Sequence, residues 1–188
     1  MLAEDGAAAL SLRAVARCAG VSQTAPYRHF PDKEALVAAV ATDGFRRLAR
    51  SMDAAARRAR PRTAAARIHA LGYGYVRFAV ANPALVRLMF GSPLIRRADH
   101  PPLDAAAKAA YGAIADAVAG ALAVPRHGAK AGVTTIAAWA LVHGLSQLLI
   151  DRQITPELCG RLRHRALIDR IIGDFSRGLA MPKAGESR

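Results

Sequence analysis

The stretch Ser11 to Leu36, SLRAVARCAGVSQTAPYRHFPDKEAL, decides the fold. It reads as two short helices joined by a tight turn and followed by the start of a third. Ser11 is an N-cap, and Leu12, Val15, Ala16 and Ala19 fall at helical spacing on one face, with Arg13 and Arg17 elsewhere. Gly20 supplies the left-handed conformation that closes a helix, and Val21 is expected to drop into the small core between the two helices. Ser22 is expected to cap a second helix, Gln23 to Phe30, which carries Thr24, Tyr27, Arg28 and His29 and few apolar residues to bury. Two helices joined by a short glycine turn form a helix-turn-helix, whose second member enters the major groove of DNA.

Polar residues at the start of that second helix are where base edges would be met. Gln23, Thr24 and Arg28 are therefore candidates for readout, Tyr27 and His29 for phosphate contact, and Arg13 and Ser22 complete the DNA-facing set. A solvated face is the alternative for any single helix, but the whole arrangement reverses those odds. Asp32 reads as the N-cap of the third helix, which puts Lys33 in a first turn where the helix dipole disfavours a cation by roughly 0.3–1 kcal/mol. A bound phosphate, shared by Lys33 and the terminal N–H groups, would remove that conflict.

The run GVSQTAPYRHFPDKEAL closely resembles the recognition helix and following helix of the tetracycline-repressor (TetR) family. It matches in the Ala-Gly-Val-Ser turn, the Tyr-x-His-Phe ending and the Lys-Glu-x-Leu helix start. Pro26 stands where many members have Leu, and removes one early helical hydrogen bond. Further on, Trp139-Ala140-Leu141-Val142-His143-Gly144 is similar to the Trp-x-x-x-His-Gly signature of one group of TetR-type carboxy-terminal domains. The resemblance implies an all-α, TetR-like fold: a helix-turn-helix head over residues 1–50 and a larger ligand-binding and dimerisation body over 51–188. It also implies that Met1 to Gly6 correspond only to the last turn of a first helix, so a start codon assigned too far downstream or a shortened form is expected.

Composition agrees with a helical, polyanion-binding chain. The 188 residues are rich in Ala, Leu and Arg, and the net charge is +13. Residues 1–60 hold ten Lys/Arg against six Asp/Glu, so +9 of that charge lies beyond them. Arg57, Arg58, Arg60 and Arg62 form a dense cluster that either touches DNA phosphates or is a solvated linker. Cys18 and Cys159 match no metal spacing, and Cys18 is expected to be a small packed residue. No charged start leads into an apolar signal segment, so a cytoplasmic chain is expected. Ala131 to Ile150 lacks Asp, Glu, Lys and Arg over a length that could span a bilayer. Thr134, Thr135, His143, Ser146 and Gln147 interrupt it, and it reads instead as a helix packed on its own domain and on a partner subunit, with no membrane role.

Along the chain, a long helix should run from Lys33 to about Ala59, with Leu36, Val40, Phe45, Leu48 and Met52 inward. A second, Thr63 to Asn82, should bury Ile68, Leu71, Tyr75, Phe78 and Ala79, and a short one bears Leu85, Val86, Met89 and Phe90. Residues 91–102 read as a loop, and Leu103, Ala107, Tyr111, Ile114, Val118 and Leu122 as the inner stripe of the next helix. Thr155 and Pro156 should start one last helix with Leu158, Leu162, Ile168, Ile171, Phe175 and Leu179 inside, followed by a tail after Met181.

A TetR-like body implies a pocket for a small, apolar effector, and Tyr75, Phe78, Met89, Phe90, Tyr111, Trp139 and His143 are the side chains that could line it. Two adjoining apolar helices near the carboxy terminus suit a four-helix homodimer interface, with Leu141, Gly144, Leu145, Leu148, Ile168, Ile171 and Phe175 as its candidates. The expected function is thus a ligand-responsive repressor that binds palindromic double-stranded operator DNA as a homodimer. The alternative is a shortened antagonist that dimerises without binding DNA. Scattered histidines and the absence of a phosphate loop or nucleophile elbow argue against an enzyme, and no metal or cofactor is expected.

Overall fold

Runs of Ala, Leu and Arg cost little to wind into helix, and the prolines that would break them stand at helix starts or in the connections between helices. The computed structural model of the chain describes residues 10–160 and 162–180, and all the regular structure among them is helical. Helix α1 spans Leu12–Ala19, and a 3-10 helix spans Ala25–Arg28. They are followed by α2 (Lys33–Arg58), α3 (Ala64–Ala81) and α4 (Pro83–Gly91). A 3-10 turn at Arg97–Asp99 interrupts the loop before α5 (Pro101–Leu122). Helices α6 (Ala129–Ile150), α7 (Pro156–Cys159) and α8 (His164–Ala180) complete the order. Pro83, Pro101 and Pro156 each take the first helical position, where the missing N–H has no partner to lose. The expectations for Met1 to Gly6 and for the tail beyond Met181 lie outside the described residues.

Packing gathers the described chain into two compact units. The first contains residues 10–47 and 81–110, and the second 48–80 and the residues from Tyr111 onward. A boundary at residue 50 therefore separates the head from α4 and the start of α5, which pack in the same unit as the head. In the first unit Leu10, Leu12 and Ala16 are buried with Leu36, Val37, Ala41 and Phe45, and the Phe45 and Phe90 rings meet edge to face at 5.2 Å. In the second, Met52, Val76, Val118 and Ile172 are the most deeply buried large side chains. There α3 approaches α2 closely at Gly74: a Cβ would stand 2.8 Å from Met52 Cα and 2.9 Å from Ser51 O. Ser51 Oγ donates to the Gly74 carbonyl at 3.0 Å across the same contact.

Several expectations need correction. Val21 is 49% exposed and not in the core, and Cys18 is exposed. Ala19 and Tyr111 are on the surface and Val40 is half-buried. The last helix is two: Gly160, at φ +61°, ends α7, and Leu158, 77% exposed, and Leu162 face solvent. In α8 the deepest positions are Ile172 and Ser176, whereas Ile168, Ile171, Phe175 and Leu179 are only half-buried. The buried stripe of α8 is thus shifted by about one residue from the expected one, because a helical count carried through Gly160 loses phase at that break.

Candidate nucleic-acid interface

The first helix of the head is closed at both ends by its own sequence. Ser11 Oγ accepts from Ala14 N at 3.1 Å, and Gly20 adopts φ +66°. Val21 N donates back to Ala16 O at 3.1 Å, the pattern of a glycine-terminated helix end. The turn then delivers the chain into the segment expected to be the recognition helix.

That segment is not the α-helix Gln23 to Phe30. Proline has no N–H, so Pro26 cannot donate to Ser22 O, and the one i→i−4 bond of the segment runs from Phe30 N to Pro26 O at 2.9 Å. The chain closes more tightly: Ala25 N donates to Ser22 O at 3.0 Å, Tyr27 N to Thr24 O at 3.2 Å and His29 N to Pro26 O at 3.0 Å. Ser22 does not cap a backbone N–H as expected; its Oγ lies 3.2 Å from Thr24 Oγ1. Pro26 is buried, on a 3-10 segment that packs against α1. Arg13, Ser22, Gln23, Thr24, Tyr27, Arg28 and His29 are held outward or half outward, with Tyr27 at 51%. The polar side chains read as DNA-facing thus cluster on one short, proline-pinned segment and the helix beside it.

Helix α2 begins where Asp32 was expected to cap it, and Asp32 Oδ1 accepts from Ala35 N at 2.8 Å. Lys33 is half-buried in its first turn beside Glu34. Asp32 and Glu34 already complement the helix dipole, so a phosphate is compatible with Lys33 without being needed to relieve it. Two of the four arginines around the end of α2 have structural partners: Arg57 pairs with Asp53, and Arg60 Nη1 donates to the carbonyls of Arg57 (3.2 Å) and Ala59 (2.7 Å).

The expected effector residues fall in two groups. Met89 and Phe90 lie in the first unit, and Tyr75, Phe78, Tyr111, Trp139 and His143 in the second. In the second, Tyr75 and Phe78 are buried, and Tyr75 Oη lies 2.9 Å from His143 Nδ1. The Trp139 indole N–H also bonds the Tyr75 oxygen, and between Tyr75 and His143 the histidine tautomer sets which group donates. Burial pushes the Tyr75 phenol up to about 12, against the lowering effect of Trp139, and burial pulls His143 below its ordinary value. The Trp139 ring meets Tyr111 edge-on at 6.1 Å and His143 at 6.3 Å. Beside it, Ile68, Leu71, Gly72, Ile114, Leu141, Val142, Ile172 and Phe175 help line an apolar cavity of about 20 Å³, the size of a single water. None of the expected effector residues lines that cavity.

Of the expected dimer residues, Gly144 and Leu148 are on the outer side of α6, Leu141, Ile168, Ile171 and Phe175 are half-buried, and Leu145 is buried in its own unit. Sequence reasoning did not name Val133 (69% exposed) and Ile136 (57%), which lie on the same outer face of α6 as Ala140, Gly144 and Leu148. Their spacing of three, four, four and four residues was the available signal. The opposite face carries Ala131, Thr135, Ala138, Val142, Leu145 and Ser146, buried against the unit, with Thr135 and Ser146 donating to carbonyls one turn back at 2.7 Å. Helix α6 is long and apolar enough to cross a bilayer by length and composition, and it packs against α8. Among the described residues no group of three or more His, Cys, Asp or Glu is placed to hold a metal.

Comparison with known proteins fixes the family. Residues 1–40 match the bacterial regulatory proteins of the tetR family, and residues 68–175 match the tetracyclin repressor-like C-terminal domain. The chain belongs to the TetR family. It is 36% identical over 129 residues to the HTH-type transcriptional regulator Mb1846 of Mycobacterium bovis, a match covering 65% of this chain and 53% of that protein. The chain thus spans about half the length of the curated relatives it matches. A protein of unknown function from Rhodococcus sp. RHA1 superimposes with a TM-score of 0.78 at 32% identity, covering 96% of this chain and 90% of that one. The TetR family regulator PfmR from Thermus thermophilus shares the fold, with a TM-score of 0.65 at 16% identity over 94% and 92% of the two chains.

Proposed function

We propose that this TetR-family chain is a cytoplasmic transcriptional repressor that binds a palindromic double-stranded operator as a homodimer and is released by a small apolar effector. The observation that carries the DNA-binding part is the head. A helix capped by Ser11 and closed by Gly20 holds Gln23, Thr24, Tyr27, Arg28 and His29 outward beside the capped start of α2. Gln23, Thr24 and Arg28 meet base edges, and Tyr27, His29 and Lys33 meet phosphates, with Arg13 and Ser22 at the margin. Two such heads reach successive major-groove faces when about 34–36 Å apart.

Dimerisation is supported by the outer face of α6. Val133, Ile136 and Leu148 are exposed with only Ala137, Ala140 and Gly144 between them, which is an apolar surface of small relief suited to a facing helix. Effector response is supported by the Tyr75–His143–Trp139 cluster, a polar anchor in an apolar surround. An effector bound at this cluster acts by favouring the state of the body that it fits best.

Selection of bound duplexes from a random library tests the reading. A twofold-symmetric motif with half-sites about 10 bp apart, or a multiple of that, is expected. Enrichment of no sequence, by a chain that is a folded dimer in solution, contradicts it and favours the antagonist.

A further inference from the structure

Glu34 lies in the first turn of α2, one residue after Lys33, and its carboxylate is held from outside the helix. His100 Nε2 lies 3.0 Å from Glu34 Oε1 and bridges residues 66 apart in the chain. His100 is itself fixed: its carbonyl accepts from Leu103 N at 2.9 Å and Asp104 N at 3.0 Å, so α5 starts on it. Its side chain is 22% exposed and that of Glu34 44%, and both belong to the unit that contains the head. Nearby charges on the same loop and helix have other partners, Arg96 with Asp99 at 3.6 Å and Arg97 with Asp104 at 3.7 Å.

A carboxylate in a first helical turn suits the helix dipole, yet the same charge repels a DNA phosphate brought to that turn. Orientation decides which effect matters. A carboxylate tied to an imidazole is kept in one direction, and the turn that carries it is braced. We propose that His100 is a positioning residue for the DNA-facing start of α2, acting through Glu34. It holds the first turn, with its capped amides and Lys33, in the arrangement that accepts a phosphate. The consequence for DNA rests on the function proposed above, whereas the bracing of the turn does not.

Amide hydrogen exchange of Ala35 and Leu36, whose N–H groups bond Asp32 at 2.8 and 3.4 Å, reads the bracing in the full chain without DNA. His100→Ala and Glu34→Ala should each speed exchange there by about threefold to tenfold, and the double variant by no more than either alone. His100→Gln keeps an N–H donor and Glu34→Gln an acceptor, so both should stay close to the parent and show that the fold is intact. On a selected duplex, the affinity of His100→Ala should fall, and by more than that of Glu34→Ala, because the latter also removes the charge that repels a phosphate. Unchanged exchange in His100→Ala, or a double variant equal to the product of the singles, overturns the proposal. So does faster exchange in His100→Ala with unchanged affinity on a duplex that the parent binds selectively. A parent chain that prefers no duplex sinks the DNA-binding reading instead, and the exchange pattern still decides the bracing.

Discussion

Tyr75 Oη stands 2.9 Å from His143 Nδ1, so a buried phenol on α3 and a half-buried imidazole on α6 share one proton position in an otherwise apolar layer. Trp139 donates to the same phenol oxygen, and the three groups satisfy one another. Two of the three are the Trp and His of the Trp-x-x-x-His-Gly sequence. The glycine that ends the motif lies toward the outer side of the helix.

Removing the phenol hydroxyl should leave both partners short of a bond. Tyr75→Phe is expected to destabilise the chain by about 1–3 kcal/mol, the usual cost of orphaned buried polar groups. Urea unfolding followed by the fluorescence of Trp139, the one tryptophan, measures it. A midpoint equal to that of the parent would show that the cluster contributes nothing.

His143 gives the body an acid-sensitive element. Its folded pKa is lowered by burial, so the unfolded chain binds the proton more readily. Its contribution is therefore fully present above the ordinary histidine value of about 6.5 and is lost as pH falls below it toward the folded value. His143→Asn should flatten the fall in melting temperature between about pH 7 and pH 5. An identical acid limb in parent and variant would remove His143 from the account.

Gly74 marks a close approach of α2 and α3. Gly74→Ala places a methyl against backbone atoms of Met52 and Ser51, which cannot swing aside as a side chain could. Despite the higher helix propensity of alanine, a loss of about 1–3 kcal/mol is expected. Equal or greater stability in thermal melts would show that the two helices separate at little cost.

Ile136→Glu puts a charge on the outer face of α6 at a residue 57% exposed, where the chain's own packing barely feels it. Sedimentation should show the parent as a dimer and the variant as a monomer with an unchanged helical circular dichroism spectrum. A variant that remains dimeric would move the interface away from this face.

Capping chemistry makes much of the fold legible in the sequence. Ser11, Gly20, Asp32, Pro83 and Pro156 each end or begin a helix through an interaction made within a few residues, so the signal is local. The recognition segment departs from its side-chain pattern at Pro26, which has no N–H to give Ser22 O, and i→i−3 bonds close the segment Ala25–Arg28. Leu158 and Leu162 face solvent because the apolar stripe they extend is cut at Gly160. Pairings such as Tyr75 with His143 and Glu34 with His100 are not legible as pairs, since they join residues 68 and 66 apart that only tertiary packing brings together.

DNA binding by the head is the central claim, and fluorescence anisotropy on labelled DNA from upstream of the chain's own gene, against a scrambled duplex over a salt series, tests it most directly. Selective binding that weakens linearly in log–log form as salt rises is expected, because phosphate contacts release counterions. Tyr27→Ala and Lys33→Ala should weaken it, the latter with a salt slope smaller by about one. Weak binding of equal strength to both duplexes, by a folded dimer, would contradict the account.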